Sequence, residues 1–295
     1  MAVFTLFSYE FKGLYEMQQD MYDPKLDKVD VHDSVARKQE LFEKFFETEN
    51  FPDEFRKGKR RFGCQLLWKM DHIIALRIEN KKKLKRDIKY QTEELDNYPW
   101  VNVIIDNRHD VQHIAILKRP KAFTSNNFVA KIIQETIGAY LYQYRLELSV
   151  DPQYRSRLFW DTLKKFRPMG IKRIQFNFAF PNKDWATEMI GELATFSRNA
   201  NGDIQLGAEA RKNEVLTFDE NVPENQALVN ACSGTGQDIV IKAEGMAAFH
   251  TLRTNNPVEQ PMKDRLLKNL EDNRWNHDVM QDAVAFCDSC QKYYV

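Results

Sequence analysis

The stretch Gly170–Asn182 reads GIKRIQFNFAFPN. Ile174, Phe176, Phe178 and Phe180 alternate with Arg173, Gln175, Asn177 and Ala179. Strand side chains point to opposite faces with period two, so the pattern predicts a half-buried strand with an aromatic inner face. Pro181 ends the strand, and Asn182 caps a helix carrying Trp185, Met189, Ile190, Leu193 and Phe196. Asn201-Gly202 then turns the chain into a strand, Asp203 to Glu209, with Glu214 to Phe218 as its antiparallel partner. A helix from Pro223 to Cys232 stops at Ser233-Gly234-Thr235-Gly236, and Asp238 to Ala243 is a last strand. The order β-α-β-β-α-β predicts a ferredoxin-like module.

Upstream, Pro168 and Gly170 mark a boundary. Val3 to Leu6 carries no charge, so a first strand covered on both faces is expected. Glu16 to His32 reads as a polar loop. Asp33 or Ser34 caps a helix through about Glu47, with Leu41, Phe42, Phe45 and Phe46 inward. A strand runs from His72 to Glu79. Val101 to Ile105 and Val111 to Leu117 form a β-hairpin around Asp106-Asn107-Arg108-His109-Asp110. A long helix follows Ser125, with Phe128, Ile132, Ile133, Ile137, Tyr140, Leu141 and Tyr144 at helical spacing, and a shorter one covers Pro152 to Phe166. Two more helices, Met262 to Asn269 and His277 to Tyr293, follow a loop from Met246. The fold class is therefore α+β, with mixed or antiparallel sheets and packed helices. Three units are expected: 1–167, 168–245 and a helical segment 246–295.

The chain of 295 residues is 43% hydrophobic and 12% aromatic, which predicts a folded protein rather than disorder. Met1 to Phe11 lacks a basic leader and is interrupted by Glu10, so it reads as a strand and not a signal peptide. No apolar run approaches the roughly 20 residues that span a bilayer. Cys64, Cys232, Cys287 and Cys290 do not suggest a disulfide framework, which places the protein in a reducing cytoplasm.

Lys and Arg balance Asp and Glu at 43 each, but unevenly along the chain. From Arg56 to Lys89 thirteen basic residues meet three acidic ones. Two clusters dominate: Arg56, Lys57, Lys59, Arg60 and Arg61, then Lys81, Lys82, Lys83, Lys85 and Arg86. Such side chains neutralise phosphates and release counterions, giving salt-dependent, largely sequence-independent binding. Phe55, Phe62, Trp68 and Tyr90 are interleaved and offer stacking surfaces. A solvated charged face is the bland reading of the same residues.

Other constellations point to no compelling chemistry. Asp106, His109, Asp110 and His113 share a hairpin, but turn chemistry explains the Asx residues without a metal. Cys287-Asp288-Ser289-Cys290 has no second pair to complete a zinc site, and it ends a helical segment rather than starting one. The Gly234/Gly236 turn has neither phosphate-loop nor dinucleotide spacing. The alternating phenylalanines lack the basic-Gly-aromatic pattern of an RNA-recognition strand. No catalytic residue, cofactor or metal ligand is assigned, and an enzyme is not the expectation. A nuclease or toxin built on Asp106, Asp110 and Glu209 stands as the last alternative.

Trp100 to Lys118, WVNVIIDNRHDVQHIAILK, resembles a hairpin in bacterial and phage proteins related to the RexA phage-exclusion protein. Phe123, Ser125 and Val129, then Phe159-Trp160, then Pro181-Asn182 follow in similar order. The resemblance covers Trp100 to Ala243 and carries over no functional residue. It implies a cytoplasmic protein of antiviral defence, acting in abortive infection, that binds DNA rather than RNA, without strong sequence preference, as a homodimer. The expected function is thus nucleic-acid binding through the two basic clusters. The alternative is a non-catalytic assembly or sensor subunit whose C-terminal helices hold a protein partner.

Overall fold

Strand β1 (Ala2–Gly13) is apolar on both sides, and the main layer grows from it. The computed structural model describes residues 2–15, 26, 28–109, 111–178, 203–252, 257–274 and 276–291. Phe7, Tyr9 and Phe11 of β1 enter one core, while Phe4 and Leu6 enter another on the opposite face. The same split by parity runs through β4 (Ile73–Glu79), β7 (Trp100–Asp106) and β8 (His113–Leu117). Ile74, Leu76, Ile78, Val101, Val103 and Ile105 face one way; Ile73, Ala75, Ile104 and Ala115 face the other. This is why these strands read as continuous apolar runs.

They belong to an eight-stranded antiparallel sheet that also holds β2 (Glu54–Lys57), β3 (Arg60–Met70), β9 (Leu146–Pro152) and β14 (Glu259–Met262). Its order is β14-β1-β8-β7-β4-β3-β2. β14 pairs with Ala2 to Thr5 and β9 with Phe7 to Gly13, so the two lie end to end along one edge of β1. Helices α1 (Val31–Ala36), α2 (Lys38–Lys44) and α3 (Asn126–Leu141) cover one face. The predicted helix to Glu47 is broken at Arg37 and begins earlier, because the Asp30 side chain accepts from the His32 and Asp33 amides.

The second sheet has the order β11-β10-β12-β13 and is also antiparallel. Its strands are β10 (Ile171–Phe178), β11 (Ile204–Glu209), β12 (Ile239–Ala243) and β13 (His250–Leu252). The aromatic face of β10 is buried as predicted, with Phe176 and Phe178 against α4 (Ser156–Phe166) and α5 (Pro223–Thr235). Ala179 to Asn182 and the helix expected around Trp185 lie outside the described residues. The ferredoxin-like order is not what these strands form. Glu214 to Phe218 is not a strand and does not pair with β11, whose partner among the described residues is β10. That segment instead donates Leu216 N–H to the Ile171 carbonyl and seals the core with Leu216 and Phe218. Gly236, at φ +77°, stops α5; a Cβ there would stand 2.9 Å from the Pro152 carbonyl oxygen.

The C-terminal helices α6 (Asp264–Asp272) and α7 (His277–Gln291) do not stand apart. Leu266, Leu270, Val279, Ala283, Phe286 and Cys287 bury against Phe4, Leu6 and Ile73 on the second face of the large sheet. Their apolar sides are buried in that core. Each such fully buried Phe, Leu or Ile stabilises the fold by about 1.5–3 kcal/mol.

Candidate nucleic-acid interface

Between β4 and β7 the chain leaves the large sheet as a two-stranded ribbon, β5 (Lys82–Ile88) and β6 (Gln91–Asn97). Lys89 and Tyr90 make its turn, both with positive φ (46° and 66°), as a tight hairpin with the twist of its strands requires. Seven residues per strand give an arm of about 23 Å. None of its described side chains is buried, and it belongs to no core. Its root is fixed: Asn80 Nδ2 donates to the Ala122 carbonyl at 2.8 Å, and the Arg119 guanidinium lies 4.6 Å from the Trp100 ring centre.

The second basic cluster lies on β5 and the residue before it. Its charge is not left uncompensated, because β6 supplies the acids. Lys83 Nζ is 2.9 Å from Asp96, which Lys81 also reaches at 3.1 Å, and Lys85 is 3.3 Å from Glu94. Hydrogen bonds from Lys83 and Lys81 hold the Asp96 carboxyl down to about 2. Arg86 stands opposite Glu93 without an ion pair among the described residues. Lys82 Nζ donates to the Lys121 carbonyl at 2.7 Å. A count that ends at Lys89 stops in the middle of a hairpin. Taken from Lys81 to Asn97, six basic residues meet four acidic ones.

The first cluster sits on the β2–β3 hairpin at the far edge of the large sheet. Phe55 and Phe62 face each other across it and are buried. Arg56 and Arg61 are paired on the outer face; Lys57 and Arg60 are paired on the helix side. Lys57 reaches Glu135 of α3 at 2.5 Å and holds that carboxyl below its ordinary range. Arg60 lies 5.3 Å from the ring centres of both Phe62 and Phe128. Arg61 meets Glu54 at 3.3 Å, while Arg56 and Lys59 are exposed without an ion pair among the described residues. Thr136 Oγ1 bonds both the amide and the carbonyl of Arg56, which closes the exposed edge of β2.

Both clusters emerge at one end of the sheet. β3 runs antiparallel to β4, with Cys64 opposite Ile78, and a Cβ on Gly63 would strike Glu79. β3 therefore begins where β4 ends and the ribbon departs. Lys118, Arg119 and Lys121, just past β8, stand at the same end.

The other candidates do not assemble. Asp106 is buried and taken by the Arg108 guanidinium at 2.6 Å, His113 is buried across from it, and His109 is exposed. Asp110 lies outside the described residues. Glu209 is on the second sheet, exposed and 4.0 Å from Arg173, so it shares no site with Asp106. Among the described residues no three His, Cys, Asp or Glu side chains are arranged to hold a metal. The four cysteines are unpaired, and burial pushes the thiols of Cys64 and Cys290 up to about 12, which leaves them poor nucleophiles. On the outer face of β10, Arg173, Gln175 and Asn177 hydrogen-bond in series at 2.9 Å, and Val129 and Ile133 of α3 lie in the other core.

Tyr90, read from the sequence as a stacking surface, stands exposed at the tip of the ribbon; the sequence reading missed Leu84 facing Leu95 at 50% and 43% exposure. The signal was present as a mostly polar run from Lys82 to Asn97, broken by Leu84, Ile88, Tyr90 and Leu95. No family model matches the chain, and neither a curated protein nor a solved structure matches it.

Proposed function

We propose that the protein binds nucleic acid, without strong base preference, through the β2–β3 turn and the β5–β6 ribbon. The observation that carries this reading is the convergence of both basic clusters at one end of one sheet, one of them on an arm clear of every core. A two-stranded ribbon is of a size to enter the major groove of a duplex, about 12 Å wide. Arg56, Lys59, Arg86 and Lys89 are its phosphate contacts, and Tyr90 at the tip is placed to stack or wedge. A cytoplasmic role in phage exclusion, and a dimer, are proposed from the likeness of Trp100 to Lys118 to that family. Among the described residues no helix is long and apolar enough to cross a membrane.

The test is fluorescence anisotropy with labelled duplex and single-stranded DNA across a salt series. Replacing Arg56, Lys59, Arg86 and Lys89 by Ala is expected to weaken binding at least tenfold at low salt. The dependence of log K on log salt should flatten by roughly 0.9 per phosphate contact removed from a duplex. Absence of binding at low salt, or affinity unchanged in the variant, sinks the proposal. A second reading, a protein-binding arm, is favoured by the exposed Leu84–Leu95 pair and the compensated lysine ladder. In that case Leu84→Ala with Leu95→Ala abolishes self-association in sedimentation and leaves DNA titrations unmoved.

A further inference from the structure

A cleft of about 750 Å³ opens between the loop after β8, the first turn of α3 and the first turn of α4. No described residue of either hairpin lines it, although Lys118 and Arg119 stand at the same end of the sheet. Its size suits a ligand of nucleotide dimensions rather than a bare ion. Four cationic side chains line it, Lys118, Arg119, Arg155 and Arg157, from two separate parts of the chain. Two carboxylates line it as well: Glu259, 2.6 Å from Lys118 Nζ, and Asp161, 3.6 Å from Arg157 Nε. Among the described lining residues, cationic side chains outnumber carboxylates four to two.

The backbone adds to this balance. Ser125, the residue before α3, is extended (φ −145°, ψ 132°), yet its side chain caps no amide of the helix. Asn126 is drawn away from that role; its Nδ2 donates to Thr5 Oγ1 and to the Ile116 carbonyl, pinning the helix start to the sheet. α4 begins in the same cleft after Arg155, again with no side-chain cap. The positive ends of a 16-residue and an 11-residue helix thus border the same cationic cavity.

We propose that this cavity binds a phosphate monoester of nucleotide size, with Lys118, Arg119, Arg155 and Arg157 as the counter-charges. The chemistry is shared by a free mononucleotide and by the 5′-phosphate of a strand end. The proposal does not depend on nucleic-acid binding by the ribbon.

Calorimetric titration of the full chain with adenosine 5′-monophosphate tests it, alongside anisotropy with 5′-phosphorylated and 5′-hydroxyl oligonucleotides of one sequence. Ser125→Asp is the decisive variant. Its carboxylate caps α3 and keeps or raises the melting temperature, yet it repels an anion from the same place. It and the double variant Arg155→Gln, Arg157→Gln are each expected to weaken monophosphate binding about tenfold or more. If the phosphorylated oligonucleotide also binds about tenfold tighter than its hydroxyl twin, the ligand is a strand end; if the two are equal while the monophosphate binds, it is a free nucleotide. No binding of any phosphorylated probe overturns the proposal. So does wild-type affinity in both cleft variants, including the case where only the variant at Arg56, Lys59, Arg86 and Lys89 loses the monophosphate.

Discussion

The β2–β3 and β5–β6 hairpins carry the same kind of charge and are built on opposite principles. In β2–β3 the paired Phe55 and Phe62 are buried, so the hairpin is rooted in a core. Its Lys57 and Arg60 side chains then rest on that core's rim, on Glu135 and on the ring of Phe128. In β5–β6 the only apolar pair on display is Leu84 and Leu95, half in water, and the arm is held by its turn and by rungs of opposite charge. A basic run in a sequence is thus the rim of a core in one place and a solvent-borne electrostatic ladder in another. What decides between them is the alternate residues, not the charges.

The sharpest way to break this contrast is to remove the root. Phe62→Ala takes a ring from contact with Phe123 and Phe128 and should cost about 3–5 kcal/mol in urea unfolding. Leu84→Ala on the ribbon should stay within about 0.5 kcal/mol. Equal losses would mean that the ribbon is part of the folded core. A smaller, local effect is expected at the ribbon's turn. Lys89 and Tyr90 both occupy the left-handed region, so an Asn-Gly replacement should stabilise the arm by roughly 1–2 kcal/mol. Amide exchange at Leu84 and Leu95 should slow while global unfolding is unchanged.

The smallest expected effect on stability concerns the rungs. Asp96→Asn releases Lys81 and Lys83, so DNA affinity should rise and its salt dependence steepen while the melting temperature holds. The carboxyl's pKa falls from its ordinary 3.8 to about 2 in the folded arm. The rung's contribution is therefore fully present above about pH 4 and is lost as pH falls through about 2. Ribbon amide shifts in an acid titration should move in that window, and not near neutrality.

The two-sided burial of β1, the hairpin after Trp100 and the aromatic face of β10 were legible because parity of apolar residues reports burial directly. β14 was not: its sequence Glu259-Gln260-Pro261-Met262 has no strand pattern, and it forms only because β1 offers an edge. β9 hid behind Leu146, Leu148 and Val150, a correct alternation that runs straight on from helical spacing ending at Tyr144. At the interface, residue identities and cluster positions could be read, but the acids that answer Lys81 to Lys85 lie beyond a turn. The cleft was invisible, because Lys118 and Ser125 are far in sequence from Arg155 and meet it only where the fold brings the loop after β8 and the starts of α3 and α4 together.

The pairing of Ala2 to Thr5 with Glu259 to Met262 also bears on how the protein is made. One whole face of the large sheet, with Phe4, Leu6, Ile73 and Ile104, is covered by helices that follow β14. During synthesis that face waits, apolar and uncovered, until nearly all of the described chain has left the ribosome. Loop closure over such a separation is slow, and an exposed sheet face invites aggregation in the meantime. A chaperone that shields apolar strands should therefore be found on nascent chains halted before Glu259 and be absent from the released chain.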